Sequence, residues 1–415
     1  MNLFGYREGT FWCESVPIPQ IAEKVGTPFY LYSKNTLLRH YQRLDESLAG
    51  IDHIICYALK ANPSLSVCKV LADAGSGAEI VSGGELYRAL RVGVSPGKIV
   101  YNGNGKTAPE IRYALESGIL MFNVDSESEL HLLNQIANEL GCTAHVGLRV
   151  NPDIDPRTHP YISTGLRENK FGIPIEEALE FYRKANAMPN VKVVGIHKHI
   201  GSQIVDLSPF VESLQRIMLL VKELSRIGVH LRCIDMGGGI GITYNEETPP
   251  SFEDYVSAIK PLIKDSGCML IVEPGRVIVG NAGVLITRVV HVKASGNKNF
   301  VVVDAAMNDL IRPSIYGAYH NIVPVEQSAN CRATIVADVV GGICESADFF
   351  ARGREVPELK AGELVAIMSA GAYGAAMASN YNSRPLIAEV MVDGSQTMII
   401  RRRQTYEEMV SLESF

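Results

Sequence analysis

Several ionisable side chains directly follow or close buried, apolar runs of the chain. Lys60 comes after IDHIICYAL, and Glu79 lies in GAEIV. His197 and His199 lie two residues apart in VVGIHKHI, so on a strand they face the same way. Three further charged residues end other apolar runs, namely Arg149, Asp235 and Glu273. An amine, imidazoles, carboxylates and a guanidinium at equivalent positions indicate a catalytic site, although Lys60 alone could simply cover apolar surface with its stem.

A glycine run, MGGGIG at 236–241, follows the apolar run LRCIDM. It matches neither the dinucleotide-binding nor the Walker pattern. The run could be a tight turn without side chains, or a loop whose main-chain N–H groups bind phosphate. Gly275 and Arg276 follow MLIVE and add a second glycine and a cation. This position favours a phosphate site.

A phosphate site and a lysine among apolar residues together suggest pyridoxal 5′-phosphate. Desolvation lowers the pKa of a lysine amine enough for it to form a Schiff base with the cofactor aldehyde. The ring nitrogen needs an anion to stay protonated, and Glu273 is the candidate, unless it pairs with Arg276 instead. The His197/His199 pair could bind a metal, but no other candidate strand ends in histidine. We therefore predict no metal site.

The elements that would position these residues alternate from about residue 28 between short apolar runs and amphipathic segments, which is typical of βα units. Eight strands fit a (β/α)8, TIM-type barrel better than an open sheet, and active residues of such barrels lie at the carboxyl ends of strands. We predict an α/β barrel over residues 27–280. Its candidate strands are 54–59, 77–81, 98–102, 120–124, 144–150, 193–200, 231–236 and 269–273.

After Gly283 the sequence changes to β-branched runs separated by Gly, Asn, Asp and Pro, without helical periodicity between them. This pattern predicts an all-β C-terminal domain over 281–415, of the Greek-key or β-barrel kind. Residues 1–26 fit neither pattern and could return to pair with this β domain.

The composition is that of a globular protein, with 47% hydrophobic and 20% charged residues among 415. A net charge of -6 gives no basic surface for nucleic acid or anionic membranes. Eight cysteines without a C-x-x-C pair predict reduced, mostly buried thiols. Neither a secretory signal nor a membrane span is visible, so we expect a cytoplasmic protein without membrane or nucleic-acid partners.

The motifs YALKAN, HIGSQ, MGGGIG, EPGR, CESAD and GAYG, in this order, resemble the fold-type III pyridoxal-phosphate decarboxylases, the group related to alanine racemase and ornithine decarboxylase. The resemblance implies that Lys60 carries the cofactor, that His199 stacks on its ring and that Glu273 pairs with the ring nitrogen. The phosphate would be held by the glycine run and Tyr373. The cofactor-binding residues expected are Lys60, Glu79, Arg149, His199, Ser202, Gly238, Gly239, Glu273, Gly275, Arg276 and Tyr373.

The resemblance also implies a homodimer in which the β domain contributes to the interface and to shared active sites. Cys344 and Glu345 would reach the site of the neighbouring subunit. Cys344 would return a proton to the substrate carbon after carbon dioxide leaves, although alone it would be interpreted as a buried thiol. The catalytic residues expected are Lys60, Cys344 and His199.

Within that family, the stretches at 158–173 and 308–320 resemble members that decarboxylate meso-2,6-diaminopimelate to L-lysine, the last step of lysine synthesis. The far end of this amino-acid substrate carries a carboxylate and an ammonium, and a planar guanidinium binds a carboxylate through two hydrogen bonds. Arg276 and Arg312 are implied for the carboxylate and Glu345 for the ammonium, although Arg312 could instead form a surface salt bridge. The substrate-binding residues expected are Arg276, Arg312, Tyr316, Glu345 and Tyr373.

Three other functions stay open. An enzyme of the same family could act on a related amino acid or on a carrier-bound aminoacyl substrate. A non-catalytic regulatory homologue could lose Lys60, Cys344 or the phosphate loop, but all are present here. A metal-dependent hydrolase would need further ligands. Lys198 departs from the family pattern, and strand alternation should turn it away from the face that carries His197 and His199.

Overall fold

The apolar runs and amphipathic segments of the chain fold into a closed barrel of eight parallel strands. The computed structural model describes residues 3–155 and 170–414. It divides into two compact units, which we call the barrel unit (40–242 and 248–277) and the β unit (1–39, 243–247 and 278–415). The predicted fold, a TIM-type barrel with a separate all-β part, is confirmed.

The elements are numbered here in chain order. The first segment contains β1 Phe4–Arg7, β2 Thr10–Cys13, β3 Val16–Pro17, α1 Ile18–Val25, β4 Phe29–Ser33 and α2 Lys34–Ser47. The first half of the barrel contains β5 His53–Ala58, α3 Leu65–Asp73, β6 Gly77–Ile80, α4 Gly83–Arg91, β7 Ile99–Tyr101, α5 Ala108–Ser117, β8 Met121–Val124 and α6 Glu127–Leu140. The second half contains β9 Ala144–Asn151, β10 Ile173–Pro174, α7 Ile175–Ala187, β11 Val191–His197, α8 Ser208–Arg226, β12 Cys233–Asp235, α9 Phe252–Ile263, β13 Met269–Val272 and α10 Arg276–Val279.

The remaining elements are almost all strands. They are β14 Gly283–Ser295, β15 Lys298–Val303, α11 Arg312–Tyr316, β16 Ile322–Pro324, β17 Thr334–Val340, β18 Phe349–Pro357, β19 Leu364–Ile367, β20 Ala388–Asp393, β21 Gln396–Arg401 and α12 Tyr406–Met409.

The barrel closes through parallel pairing of each strand with its neighbours. The order is β5-β6-β7-β8-β9-β11-β12-β13, and β13 pairs with β5, while the two-residue β10 adds to β9. The helices show the expected boundary signals. In α6, the Ser126 hydroxyl accepts a hydrogen bond from the Glu129 N–H, and Gly141 ends the helix in the left-handed conformation. Buried Leu130, Leu133 and the residues that follow their 3.6-residue spacing face inward.

The interior of the barrel has an apolar part and a polar part. The apolar cluster contains Cys56, Val100, Met121, Val194, Cys233 and Ile271. Polar side chains that are at most 4% exposed occupy positions nearer the carboxyl ends of the strands, namely Glu79, Asn102, Asn123, His197, Asp235 and Glu273. The side chains in a barrel interior stack in layers, so the polar set lies where barrel enzymes place their active sites.

The β unit is built on a nine-stranded sheet. Its main path is β18-β17-β15-β14-β4-β20-β21, and β19 and β16 extend it from β14. The unit also contains a three-stranded sheet of β1, β2 and β3. Its core includes Phe29 and Leu31 of β4, Val284 and Ile286 of β14, and several residues of β20.

This division differs from the predicted boundaries at 27, 280 and 281. Residues Phe29–Ser33 do not enter the barrel, because they pair antiparallel with β14 and parallel with β20. Residues 1–39 therefore belong to the same compact unit as residues 278–415. Within the described residues, no helix is long and apolar enough to span a membrane. The eight cysteines are free thiols, and only four of them are fully buried.

Candidate active site

Lys60 lies just beyond β5, in a short 3-10 turn, at the carboxyl end of the barrel. Its Nζ donates a hydrogen bond to Oε1 of Glu79 at 2.8 Å. The Glu79 side chain is fully buried, whereas the Lys60 side chain is 36% exposed. Burial, together with nearby Glu273, raises the pKa of Glu79 against the opposing effect of Lys60. The Lys60 amine therefore lies at the barrel mouth and is hydrogen-bonded to a buried acid.

Glu273 follows β13 and is the second buried acid of the site. Its Oε1 accepts a hydrogen bond from the Asn102 amide at 2.6 Å, and its Oε2 lies 3.5 Å from Nε2 of His197. Burial raises the pKa of Glu273, but His197 and Lys60 lower it by more, so the carboxylate is ionised. Burial and the charge of Glu273 raise the pKa of Asp235 well above its ordinary value. Glu273 therefore carries the negative charge of this pair of acids.

The two histidines differ in their backbone setting. His197 is the last residue of β11, whereas His199 lies beyond the end of the strand, so the predicted strand 193–200 is too long at its carboxyl end. The His197 side chain is buried, whereas His199 is half-buried. Burial, with further contributions from Lys60 and Arg149, lowers the pKa of His199 well below its ordinary value, so its ring is neutral.

Lys198 points away from this face, which confirms the predicted alternation. Its Nζ donates a hydrogen bond to Oγ of Ser213 at 2.9 Å and lies 5.4 Å from the ring centre of Phe210, and both partners belong to α8. Burial lowers the pKa of Lys198 to about 7, and Asp235 opposes this effect. Lys198 therefore fastens α8 to the histidine strand from outside the barrel.

The glycine run after β12 packs tightly against two neighbouring loops. Gly237 has a φ of +65°, and a Cβ on it would lie 2.9 Å from the side chain of His199. A Cβ on Gly238 would overlap the main-chain oxygen of Glu273, and one on Gly239 would lie 2.6 Å from the oxygen of Gly201. The absence of side chains thus lets the loops after β11, β12 and β13 approach one another, with their main-chain groups at the barrel mouth.

Arg276, at the start of α10, donates hydrogen bonds from Nε and Nη2 to Oγ of Ser202, at 3.3 and 3.0 Å. Gly275, directly before it, packs against Ala58 and Ala61. Arg149 of β9 is buried, with Nε 3.7 Å from Asp125. The structure therefore brings all ten predicted cofactor-binding residues of the barrel unit to the carboxyl ends of its strands.

The other predicted site residues belong to the β unit. Arg312, at the start of α11, is buried; its Nη1 lies 2.8 Å from Nε2 of His320 and its guanidinium 4.7 Å from the ring centre of Tyr244. Tyr316 ends α11, and Tyr373 has a φ of +58°.

Cys344 and Glu345 lie on an exposed loop of the β unit. The Cys344 N–H donates to Oδ1 of Asn382 at 2.8 Å, and the Tyr381 hydroxyl donates to Glu345 at 3.4 Å. The expectation for an isolated Cys344, a buried thiol, is wrong, because this thiol is exposed. Most of 158–173, one of the two stretches that carry the resemblance within the family, lies outside the described residues.

Two asparagines of the site were missed at the sequence level. Asn102 follows β7 and Asn123 lies within β8, and both are buried in the barrel interior. Asn102 donates to Glu79 at 3.0 Å as well as to Glu273, and Asn123 donates to Asn102 and Asp235. The available signal was the one asparagine in each of the two strand-like runs, KIVYN and LMFNV.

Three ligand-type atoms of His197, Asp235 and Glu273 lie within 4.8 Å of one another, and among the described residues this is the one group with that property. Both acids already accept amide hydrogens from Asn102 and Asn123, and Asp235 also accepts the Gly237 N–H at 3.0 Å. We therefore assign these acids to a hydrogen-bond network rather than to a metal site.

Comparison with known proteins identifies the family of the chain. Residues 34–280 match the family described as "Pyridoxal-dependent decarboxylase, pyridoxal binding domain". The chain belongs to the pyridoxal-dependent decarboxylases. This membership confirms the family and the cofactor, pyridoxal phosphate, that the motifs predicted.

Relatives within this decarboxylase family match along the whole chain. The diaminopimelate decarboxylase of Vibrio cholerae is 47% identical over 416 residues, which cover 100% of this chain and 99% of the relative. That of Aquifex aeolicus is 48% identical over 98% of this chain and 96% of its own length. The crystal structure of diaminopimelate decarboxylase from Helicobacter pylori complexed with L-lysine has a TM-score of 0.92 at 43% identity, over 95% of this chain and 99% of that one.

The residues at the barrel mouth fit pyridoxal phosphate on chemical grounds. Lys60 supplies a partly exposed amine for an aldehyde, and Glu273 supplies a buried, ionised carboxylate for a pyridinium nitrogen. The glycine loops supply main-chain N–H groups, and Arg276 a cation, for a phosphate. The neutral ring of His199 is suited to stacking on an aromatic ring rather than to repelling a pyridinium.

Proposed function

We propose that this chain catalyses the pyridoxal-phosphate-dependent decarboxylation of meso-2,6-diaminopimelate to L-lysine and carbon dioxide. The observation that carries the proposal is the Lys60 amine at the barrel mouth, in a chain that is 47% identical along its full length to a curated diaminopimelate decarboxylase. The L-lysine in the Helicobacter pylori structure is the product expected of this reaction.

When bound, pyridoxal phosphate supplies a conjugated pyridinium that accepts the electron pair left by the departing carboxylate. Lys60 anchors its aldehyde, and buried Glu79 orients the lysine amine. Glu273 holds the proton on the ring nitrogen, because an ionised acid in a buried site stabilises the protonated ring. His199 would stack on one face of the ring, where its lowered pKa keeps the imidazole neutral beside the pyridinium.

The phosphate is assigned to the loop Gly237–Gly239 and to Gly275, with Ser202, Arg276 and Tyr373 around it. The Ser202 hydroxyl and the Arg276 guanidinium are joined by two hydrogen bonds, which fixes the donors of both side chains. Positive φ values at Gly237 and Gly239 turn the main chain at this loop. Because Asp235 accepts the Gly237 N–H, we assign the N–H groups of Gly238 and Gly239 to the phosphate.

The distal end of the substrate is assigned to Arg276, Arg312, Tyr316, Tyr373 and Glu345. Arg312 is 6% exposed and is oriented by His320 and by the face of Tyr244. A buried, preoriented guanidinium binds a carboxylate through two charge-assisted hydrogen bonds, which is the recognition that an amino-acid end requires.

Cys344 is assigned as the donor of the proton that replaces carbon dioxide on the α-carbon. Its thiol and the Glu345 side chain are exposed, as residues that serve the site of another subunit would be. We infer a cytoplasmic homodimer in which each β unit contributes these two residues to its partner's active site.

Replacing Lys60 by arginine tests the anchor. Arginine keeps the charge beside Glu79, but its guanidinium does not add to an aldehyde, so we expect kcat for carbon dioxide release from meso-diaminopimelate to fall by about 10³-fold or more. The assay uses purified protein with added cofactor. Lys69→Arg is the matched control, because Lys69 is an exposed lysine paired with Asp73. Full activity of Lys60→Arg would disprove the assignment, whereas an inactive wild type that still binds cofactor would disprove only the substrate.

Replacing Arg312 by alanine tests the distal carboxylate. Loss of two charge-assisted hydrogen bonds predicts a fall of about 100-fold in kcat/KM for meso-diaminopimelate. Inhibition constants show whether the loss is due to the distal carboxylate. L-lysine retains this carboxylate and should bind more weakly to Arg312→Ala than to the wild type, whereas cadaverine lacks it and should bind equally to both. Arg332→Ala, which removes a cation paired with Glu363, is the control. Equal weakening of both inhibitors would rule out carboxylate recognition by Arg312.

A further inference from the structure

Two buried amides connect the acids of the barrel interior. Asn102 is 4% exposed and Asn123 is 0% exposed. The Nδ2 of Asn102 donates to Oε1 of Glu79 at 3.0 Å and to Oε1 of Glu273 at 2.6 Å. The Nδ2 of Asn123 donates to Oδ1 of Asn102 at 2.7 Å and to Oδ2 of Asp235 at 3.1 Å. All four amide hydrogens of the pair are therefore used inside this network.

The network fixes which way the Asn102 amide points. Its oxygen accepts from Asn123, so both of its hydrogens must face the acids. A flipped amide would place its oxygen against Glu79 and Glu273, and it would turn the Asn102 amide nitrogen toward that of Asn123 in place of the acceptor oxygen. Asn123 therefore determines the orientation of Asn102, and Asn102 determines where one oxygen of each glutamate lies.

The two glutamates serve opposite ends of the cofactor in the proposed function, on which this inference rests. Glu79 holds the Lys60 amine, and Glu273 is the acid for the ring nitrogen. Because one side chain donates to both glutamates, the barrel fixes the distance between them, and the two acids do not move independently. The third acid, Asp235, accepts the Gly237 N–H at 3.0 Å, so the same network extends to the start of the glycine loop.

We propose that Asn102 is a positioning residue that aligns Glu273 with the ring nitrogen and Glu79 with Lys60 by donating one amide hydrogen to each, and that Asn123 fixes its orientation. Asparagine meets this requirement because it offers two hydrogens and one acceptor without charge. Aspartate has the same shape but no amide hydrogen, and leucine has a similar size but no polar group. Replacing Asn102 by aspartate and by leucine therefore separates the effect of the lost hydrogen bonds from the effect of a changed side-chain volume.

The test measures cofactor binding by the apoprotein, and it needs no substrate. The wild type, Asn102→Asp and Asn102→Leu are titrated with pyridoxal phosphate and with 1-deazapyridoxal phosphate, in which carbon replaces the ring nitrogen. We expect both variants to bind pyridoxal phosphate about 10- to 100-fold more weakly, the size of effect associated with losing a charge-assisted hydrogen bond. With the deaza compound, which has no ring nitrogen for Glu273, the variants should lose less affinity than with pyridoxal phosphate, because only the contribution through Glu79 and Lys60 is left.

Two controls keep the outcome clear. Asn134→Asp, on α6, retains the carbonyl oxygen that accepts the Asn190 N–H, and it should bind both cofactors like the wild type. Asn123→Ala removes the orienting contact to Asn102 together with the hydrogen bond to Asp235, and leaves both glutamate contacts of Asn102 in place. It should give the same pattern with a smaller loss, which decides the matter if the Asn102 variants do not fold. Equal losses with the two cofactors, or no loss, would overturn the proposal. Because binding is the readout, a wrong substrate leaves this result interpretable.

Discussion

Lys198 is a fully buried lysine that directly follows β11. Strand alternation predicted its direction, since neighbouring residues on a strand face opposite sides. Its partners were not predictable, because Phe210 and Ser213 follow after a loop and lie on α8, and the packing angle of that helix is a tertiary property. One hydrogen bond and one aromatic face incompletely replace the hydration of an ammonium group.

Replacing Lys198 by methionine should stabilise the protein, most strongly near and below neutral pH. Burial lowers the folded-state pKa of Lys198 to about 7, from an ordinary value of 10.5. Between these values the unfolded chain holds one proton more than the folded chain, so wild-type stability rises with pH across that window. We expect Lys198→Met to raise the free energy of unfolding by about 1–4 kcal/mol at pH 6, and by much less near pH 10. Urea titrations at both pH values measure this.

Lys222→Met is the control for that experiment, because Lys222 is an exposed lysine of the same helix, α8. It should change the free energy of unfolding by only a few tenths of a kcal/mol at either pH. A gain in Lys198→Met that is identical at both pH values would show that the buried ammonium is not the cause.

The site residues that the sequence revealed and those it concealed differ in physical character. Lys60 and Glu79 stood out because charges rarely interrupt buried strands. Asn102 and Asn123 did not, since asparagine is common where strands end in turns. Only the closed barrel places these two amides opposite three acids from other strands. Hydrogen-bond networks of this kind depend on side chains that meet across the interior, which a local pattern does not contain.

The loops after β11, β12 and β13 form one packed assembly at the barrel mouth. The glycine run was interpreted either as a tight turn or as a phosphate loop, and the structure shows that each glycine is also required by loop packing. The same packing sets the end of β11 at His197. The next residue, Lys198, still donates its N–H to the main-chain oxygen of Asp235, and the chain then turns away at Gly201. The length of a strand is thus set by its neighbouring loops.

Replacing Gly238 by alanine should weaken the site by steric overlap alone. Gly238 does not have a positive φ, but its new Cβ would overlap the main-chain oxygen of Glu273, which cannot move without shifting the end of β13. We expect a loss of about 1–3 kcal/mol in stability and at least about tenfold weaker cofactor binding, measured by thermal unfolding and absorbance titration. Gly97→Ala is the control, because nothing lies closer than 4.0 Å to its Cβ position. Unchanged cofactor affinity would contradict the role given to this loop.

The overall architecture was largely predictable from local patterns, whereas the pairing of strands that are distant in the sequence was not. All eight predicted barrel strands overlap observed ones, because parallel strands buried on both faces form continuous apolar runs. The first 39 residues were harder to assign. A strand such as Phe29–Ser33 is recognisable by its apolar residues, but its partners at Gly283–Ser295 and Ala388–Asp393 lie hundreds of residues away. Local patterns identify strands and leave the pairing of distant strands undetermined.

The position of β4 between β14 and β20 has a consequence for how the chain is made. The ribosome completes Phe29–Ser33 before any residue of the barrel, and then synthesises 34–282 before the first partner strand begins. At about 5–20 residues per second, β4 waits roughly 12–50 s for β14 to emerge, and longer for β20. The barrel unit, whose strands all lie within that interval, can fold during the wait. The apolar segment FYLYS is meanwhile exposed on the nascent chain, where chaperones can bind it.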